Sequence, residues 1–206
     1  MFCAAFFIFG AAVLSVLAEE TPADECGQRN PNGWLFLEKD KRYDMIQRTF
    51  ETPDSKDTKC LYSTITQKYE NNHTMEATIR YKKGFHGTWE TVHQEYEFFK
   101  YDEGDYKSMK TTKQSQPPYA SYEFGYAGSF CAVVYVNSIG PVRTNSEGAA
   151  GITASPESGK RECVLWVEDS KIGTKDQCCE RFFSTNCKTP AYEIYNVEKC
   201  KENGRE

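Results

Sequence analysis

Cys163-Val-Leu-Trp-Val167, followed by Cys178-Cys-Glu-Arg-Phe-Phe183 and then by Cys187 and Cys200, is the stretch whose reading decides the fold. With Cys26, Cys60 and Cys131 upstream it makes eight cysteines, an even set that reads as a disulfide framework laid over a β-rich chain. Side chains alternate along a strand, so Cys163, Leu165 and Val167 share one face while Val164, Trp166 and Glu168 share the other. Cys131, Val133 and Tyr135 oppose Ala132, Val134 and Val136 in the same way. If the cysteines tie these strands to an external helix they face outward, and Ala132, Val134, Val164 and Trp166 line an interior. Such an interior is either a filled core or, in an eight-stranded barrel, room for one small ligand.

The ninth cysteine, Cys3, belongs to a different kind of segment. Residues 1–18 carry an apolar run, Phe6-Phe-Ile-Phe-Gly-Ala-Ala-Val-Leu14, and end on Val16-Leu-Ala18, a pattern that suits cleavage of a secretory signal peptide after Ala18. The run is shorter than the ~20 apolar residues of a membrane-spanning helix. Secretion delivers the remaining eight cysteines to an oxidising compartment, where pairs persist. It also makes Asn72-His-Thr74 a usable glycosylation sequon on a polar turn. Residues 19–206 then read as a single secreted domain, expected to be monomeric.

The organisation along that domain is mostly β. Asn32 is placed to cap a short amphipathic helix with Trp34, Leu37 and Lys41 near one face. Beyond Tyr43 the pattern shortens toward period two. Residues 60–69, 75–82, 88–101, 119–126, 130–137 and 163–168 are rich in Thr, Tyr, Val, Ile and Phe and are separated by polar or Gly-bearing turns, which predicts an antiparallel meander closing as a barrel or sandwich. Residues 137–160 break the rhythm as a long loop. Residues 175–185 have helical spacing, with Cys179, Phe182 and Phe183 on one side, and predict a helix pinned outside the barrel.

The composition narrows the function. A net charge of −5 argues against a nucleic-acid partner, and basic pairs such as Lys82-Lys83 read as solvated turn residues. His73, His86 and His93 lack the spacing of a helical metal pair, and the cysteines lack paired C-x-x-C spacing. There is no glycine-rich phosphate loop and no G-x-S-x-G, so neither an enzyme nor a bound cofactor or metal is expected.

Taken together, Trp34, Tyr43-Asp-Met-Ile-Gln-Arg-Thr-Phe50, Thr58-Lys-Cys60, Met75-Glu-Ala-Thr-Ile79, Phe130-Cys-Ala-Val-Val134, Cys163-Val-Leu-Trp-Val167, Cys178-Cys-Glu-Arg-Phe182 and Tyr192-Glu-Ile-Tyr-Asn-Val197 with Cys200 resemble the tick salivary lipocalins, the tick histamine-binding protein family. The resemblance implies an eight-stranded antiparallel lipocalin barrel with an N-terminal helix and a C-terminal helix packed outside. It implies secretion into the bite site, where the barrel sequesters a small host mediator. It also implies the pairs Cys60–Cys200 and Cys163–Cys187, with Cys131 joined to Cys178 or Cys179 and Cys26 taking the other.

The family's amine-binding signature carries acidic residues where this chain has Ala132 and Val164, while Trp166 keeps the aromatic position. A buried ammonium needs a paired carboxylate, so the change leans toward an apolar ligand. Phe50 matches a position where some relatives have Tyr, and Asp54 and Glu97 lie near acidic binding positions of histamine-binding members, which with Glu95 keeps an amine in play. Cys178-Cys179 with Cys26 resembles the moubatin-like, lipid-mediator-binding members, for which Arg80 and Arg143 offer cations to an anionic head group. The rival expectation is a protein-binding inhibitor of complement or coagulation that acts through rim loops such as 137–160.

Overall fold

Period-two alternation of apolar residues, once closed into a ring, buries every inward side chain. The computed structural model describes residues 26, 31–51, 57–100, 104–140, 152–153 and 159–200. In it β1 (Arg42–Arg48), β2 (Thr58–Tyr69), β3 (Thr74–Lys83), β4 (Trp89–Phe99), β5 (Ser108–Thr111), β6 (Tyr119–Ala127) and β7 (Cys131–Gly140) pair in sequence order, all antiparallel. After the two-residue β8 (Ile152–Thr153), β9 (Cys163–Glu168) pairs with both β7 and β1 and closes an eight-stranded barrel. The residues 137–160, expected as one loop, are entered by strand. β7 runs on to Gly140 and β8 returns against it, with Ser138 opposite Thr153 and Ile139 opposite Ile152.

β1 and β2 pair only from Arg42 to Asp44, and beyond that point they splay. The short β10 (Tyr192–Glu193) fills the gap against Gln47 and Arg48. Ile194 spans both neighbours, its N–H donating to Ile46 O at 3.0 Å and its carbonyl accepting from Cys60 N at 2.8 Å. The Cys60–Cys200 disulfide pins this closure.

The N-terminal helix α1 (Gly33–Phe36) is a single turn that plugs one end of the barrel. Asn32 caps it, its side chain accepting from Leu35 N at 3.0 Å. Lys68 satisfies the other end, donating to Trp34 O and Leu37 O at 2.6 and 2.8 Å with its ammonium 4.0 Å from the Trp34 ring centroid. Gly33 is required there because a Cβ would overlap the Phe124 ring.

The C-terminal helix α2 (Gln177–Asn186) packs outside, N-capped by Asp176, which accepts from Cys178 N and Cys179 N. Its buried face, Cys179 and Phe183, covers the outward side of β7 and β9, where Cys131, Val133, Cys163, Leu165 and Val167 form a second apolar cluster. The open alternative is thereby resolved. Cys131 pairs with Cys179 and Cys26 with Cys178, while Cys60–Cys200 and Cys163–Cys187 stand as the resemblance implied. Among the described residues no helix is long and apolar enough to cross a membrane. The expected signal segment 1–18, with Cys3, lies outside the described residues.

Tyr43 locks the plugged end. Its hydroxyl donates to Phe36 O at 2.7 Å and accepts from Glu38 N at 3.0 Å, and burial raises its pKa to about 12. An unfolded tyrosine ionises near pH 10. The folded state therefore favours the neutral phenol, and this stabilisation is complete below pH 10 and lost as pH climbs toward 12. Tyr43→Phe is expected to cost ~1–3 kcal/mol at neutral pH, because it strands the buried Phe36 carbonyl and removes the acceptor of the Glu38 N–H. The variant's stability should also fall less steeply than the wild type's between pH 10 and 12, which denaturant titrations at stepped pH would read.

Candidate functional site

The barrel encloses a cavity of about 710 Å³, within the ~300–1,000 Å³ range of small-molecule sites. Phe36, Leu37 and Tyr43 form its floor against the α1 plug. The walls come from the inward positions of successive strands, among them Met45, Ile65, Met75, Ile79, Met109 and Phe124, with Val164 and Trp166 from β9. Phe50, Glu51, Thr58, Pro117 and Pro118 ring the mouth.

One charged side chain is buried in this wall. From Met45 strict alternation would turn Gln47 inward and Arg48 outward. A β-bulge between Met45 and Gln47 shifts the register, setting Gln47 opposite Leu165 on the outer face and Arg48 opposite Val164 on the inner one. Arg48 is 3% exposed, lines the cavity, and holds its guanidinium 5.6 Å from the Phe50 ring centroid. Burial lowers its pKa, and the nearby Glu51 carboxylate pulls it back up. An arginine stays protonated at neutral pH even so. Glu51 itself is exposed at the mouth.

The opposite wall is uncharged. Tyr96 donates to the Gln94 side-chain carbonyl, and the Gln94 amide donates to Gln116 O and Pro118 O at 3.3 and 2.7 Å, so Gln94 serves to hold the Pro117-Pro118 turn over the mouth. Tyr122 also lines the cavity, and burial raises its pKa. Tyr81 turns its hydroxyl to Glu90 at 2.7 Å.

Of the residues the sequence singled out, Trp166, Val164 and Phe50 stand on the cavity wall. Ala132 and Val134 belong to the same interior cluster, fully buried among its side chains, and do not border the open space. Arg80 and Glu97 stand outside the cavity. Ile79 and Tyr81 point inward, so Arg80 points out, donating to the Tyr62 hydroxyl at 3.0 Å. Gln94 and Tyr96 point inward, so Glu95 and Glu97 point out, and Glu97 lies half-exposed 3.5 Å from Lys110. Asp54 and Arg143 lie outside the described residues. Asn72 is exposed at the β2–β3 turn, its side-chain carbonyl accepting from Thr74 Oγ1 at 2.9 Å. The cluster of Cys131, Asp176 and Cys179 offers no metal site, because both sulfurs are joined in a disulfide.

A family model described as tick histamine binding protein matches residues 23–202. Among solved structures, japanin from Rhipicephalus appendiculatus bound to cholesterol shares the fold with a TM-score of 0.51 at 9% identity, over 77% of this chain and 94% of that one. No curated protein matches the sequence.

Proposed function

Since this chain belongs to the tick histamine-binding protein family of salivary lipocalins, we propose that it is a secreted carrier that sequesters one elongated, mostly apolar host mediator with an anionic head group, without turnover. The observation that carries this reading is the buried cation Arg48 in a mostly apolar cavity. Charge-assisted hydrogen bonds to a carboxylate favour an acid at that end, while the Met, Ile and Phe wall favours a hydrocarbon body. Apolar residues at Ala132 and Val164, where the family's amine-binding signature carries acids, support the same preference over histamine or serotonin. The cholesterol held by japanin supports an apolar occupant for a barrel of this kind.

In this role Trp166 and Phe50 supply flat walls, Val164 and the residues behind it, Ala132 and Val134, keep the interior free of counter-charge, and Arg48 orients the head toward the mouth. Native mass spectrometry of the protein purified from secreting cells tests the reading. A non-covalent adduct lost on denaturation, and identified as a lipid acid, is expected. An amine recovered in its place would refute the preference.

A further inference from the structure

Outside the cavity, the sheet gathers cations that the sequence scatters from Lys59 to Lys199. Lys59 of β2 and Lys82 of β3 are direct cross-strand partners, and Lys82 in turn faces Trp89 of β4. Lys199 joins them because the Cys60–Cys200 disulfide ties together the residues next to Lys59 and Lys199. Both ammonium groups lie over one ring, Phe85, at 5.4 and 4.9 Å from its centroid. Lys82 and Arg80 lie 4.9 and 5.1 Å from the Trp89 centroid.

Like charges directly opposite one another across an antiparallel pair repel, and among the described residues little offsets these. Lys59 and Lys82 donate to main-chain carbonyls, those of Glu193 at 2.7 Å and Lys199 at 3.5 Å. Glu90 of the neighbouring β4 shares the opposite parity, with Tyr81 and Lys83. A chain of net charge −5 thus concentrates positive charge on one outer face and holds it with a disulfide and two aromatic rings.

We propose that this face binds a sulfated polysaccharide. A linear polyanion presents successive sulfate and carboxylate groups to cations that the ring contacts hold in place, and it neutralises the Lys59–Lys82 repulsion that the fold otherwise carries. The ammonium groups lie over ring faces that are only partly exposed, which suits a polyanion better than insertion into a bilayer.

The test is binding to immobilised heparin at physiological ionic strength, with salt titration. The wild type is expected to be retained and to elute as salt rises, since counterion release drives such binding. Lys82→Glu/Lys199→Glu should bind at least ~10-fold more weakly, with Lys82→Gln/Lys199→Gln in between. The charge-matched Lys171→Glu/Lys175→Glu should behave as wild type. Failure of the wild type to bind, or undiminished binding by both patch variants, overturns the proposal. Binding to phosphatidylserine vesicles that heparin oligosaccharides do not displace would reassign the face to a membrane.

Discussion

Arg48→Gln should lose most of its affinity for a long-chain carboxylic acid while keeping its affinity for the neutral alcohol of the same chain length. A hydrogen bond to a charged group contributes ~1.5–3 kcal/mol, so the acid should bind roughly 10- to 100-fold more weakly. The fold itself should not suffer equally. Burial already disfavours the charged guanidinium, as the lowered pKa of Arg48 reflects, so a shorter neutral amide at that site relieves a desolvation cost. Unchanged stability with acid affinity selectively lost is therefore the signature of a ligand contact. Equal losses for acid and alcohol would instead assign Arg48 to the architecture of the mouth.

Trp34→Ala is expected to be the most destabilising single truncation at the plugged end. The indole is 5% exposed, packs 5.3 Å edge-on from Phe98 and 5.1 Å from His73, carries the Lys68 ammonium on its face, and donates to Glu70 at 3.2 Å. Removing a buried Trp typically costs ~3–5 kcal/mol. Leu35, its neighbour in the same turn, is 70% exposed, and Leu35→Ala should stay within ~0.5 kcal/mol of wild type. Trp34 does not border the cavity, so ligand affinity in the folded fraction of Trp34→Ala should be nearly preserved. Denaturant unfolding with the disulfides intact distinguishes the two variants.

The barrel was legible in the sequence because its inner and outer faces are written in different residue types. Cys131 and Cys163 on one parity, with Ala132, Val134, Val164 and Trp166 on the other, allow only one side to meet the cysteine-bearing helix, and that side became the outer cluster under α2. The strands β2, β3, β4, β6, β7 and β9 followed from the same alternation. The four-residue β5 and the two-residue β8 and β10 carry too few positions to show a period, and tertiary pairing defines them. Neither Cys178 nor Cys179 is favoured by spacing as the partner of Cys131. The helix phase decides, since Cys179 is on the buried face of α2 and Cys178 is not.

Sequence alternation placed Trp166 and Val164, and the family resemblance Phe50, beside the cavity, whereas the charged residues singled out among those described stand elsewhere. Arg80 and Glu97 drew attention as ionisable residues on β strands, yet alternation from Ile79, Tyr81, Gln94 and Tyr96 places both outside. Arg48 was passed over for the converse reason. Period two from Met45 sends it outward, and only the bulge, which inserts one residue without a compositional mark, turns it into the cavity.

Calorimetry with three ligands that share one hydrocarbon chain and differ only in the head group, acid, alcohol and amine, tests the assignment of the cavity most directly, with histamine as a fourth titrant. The acid should bind tightest, the alcohol next and the amine more weakly still, and histamine should bind weakly at best. An amine or histamine that binds more tightly than the acid would contradict the assignment, placing the effective counter-charge on a carboxylate such as Glu51 at the mouth and not on Arg48 within.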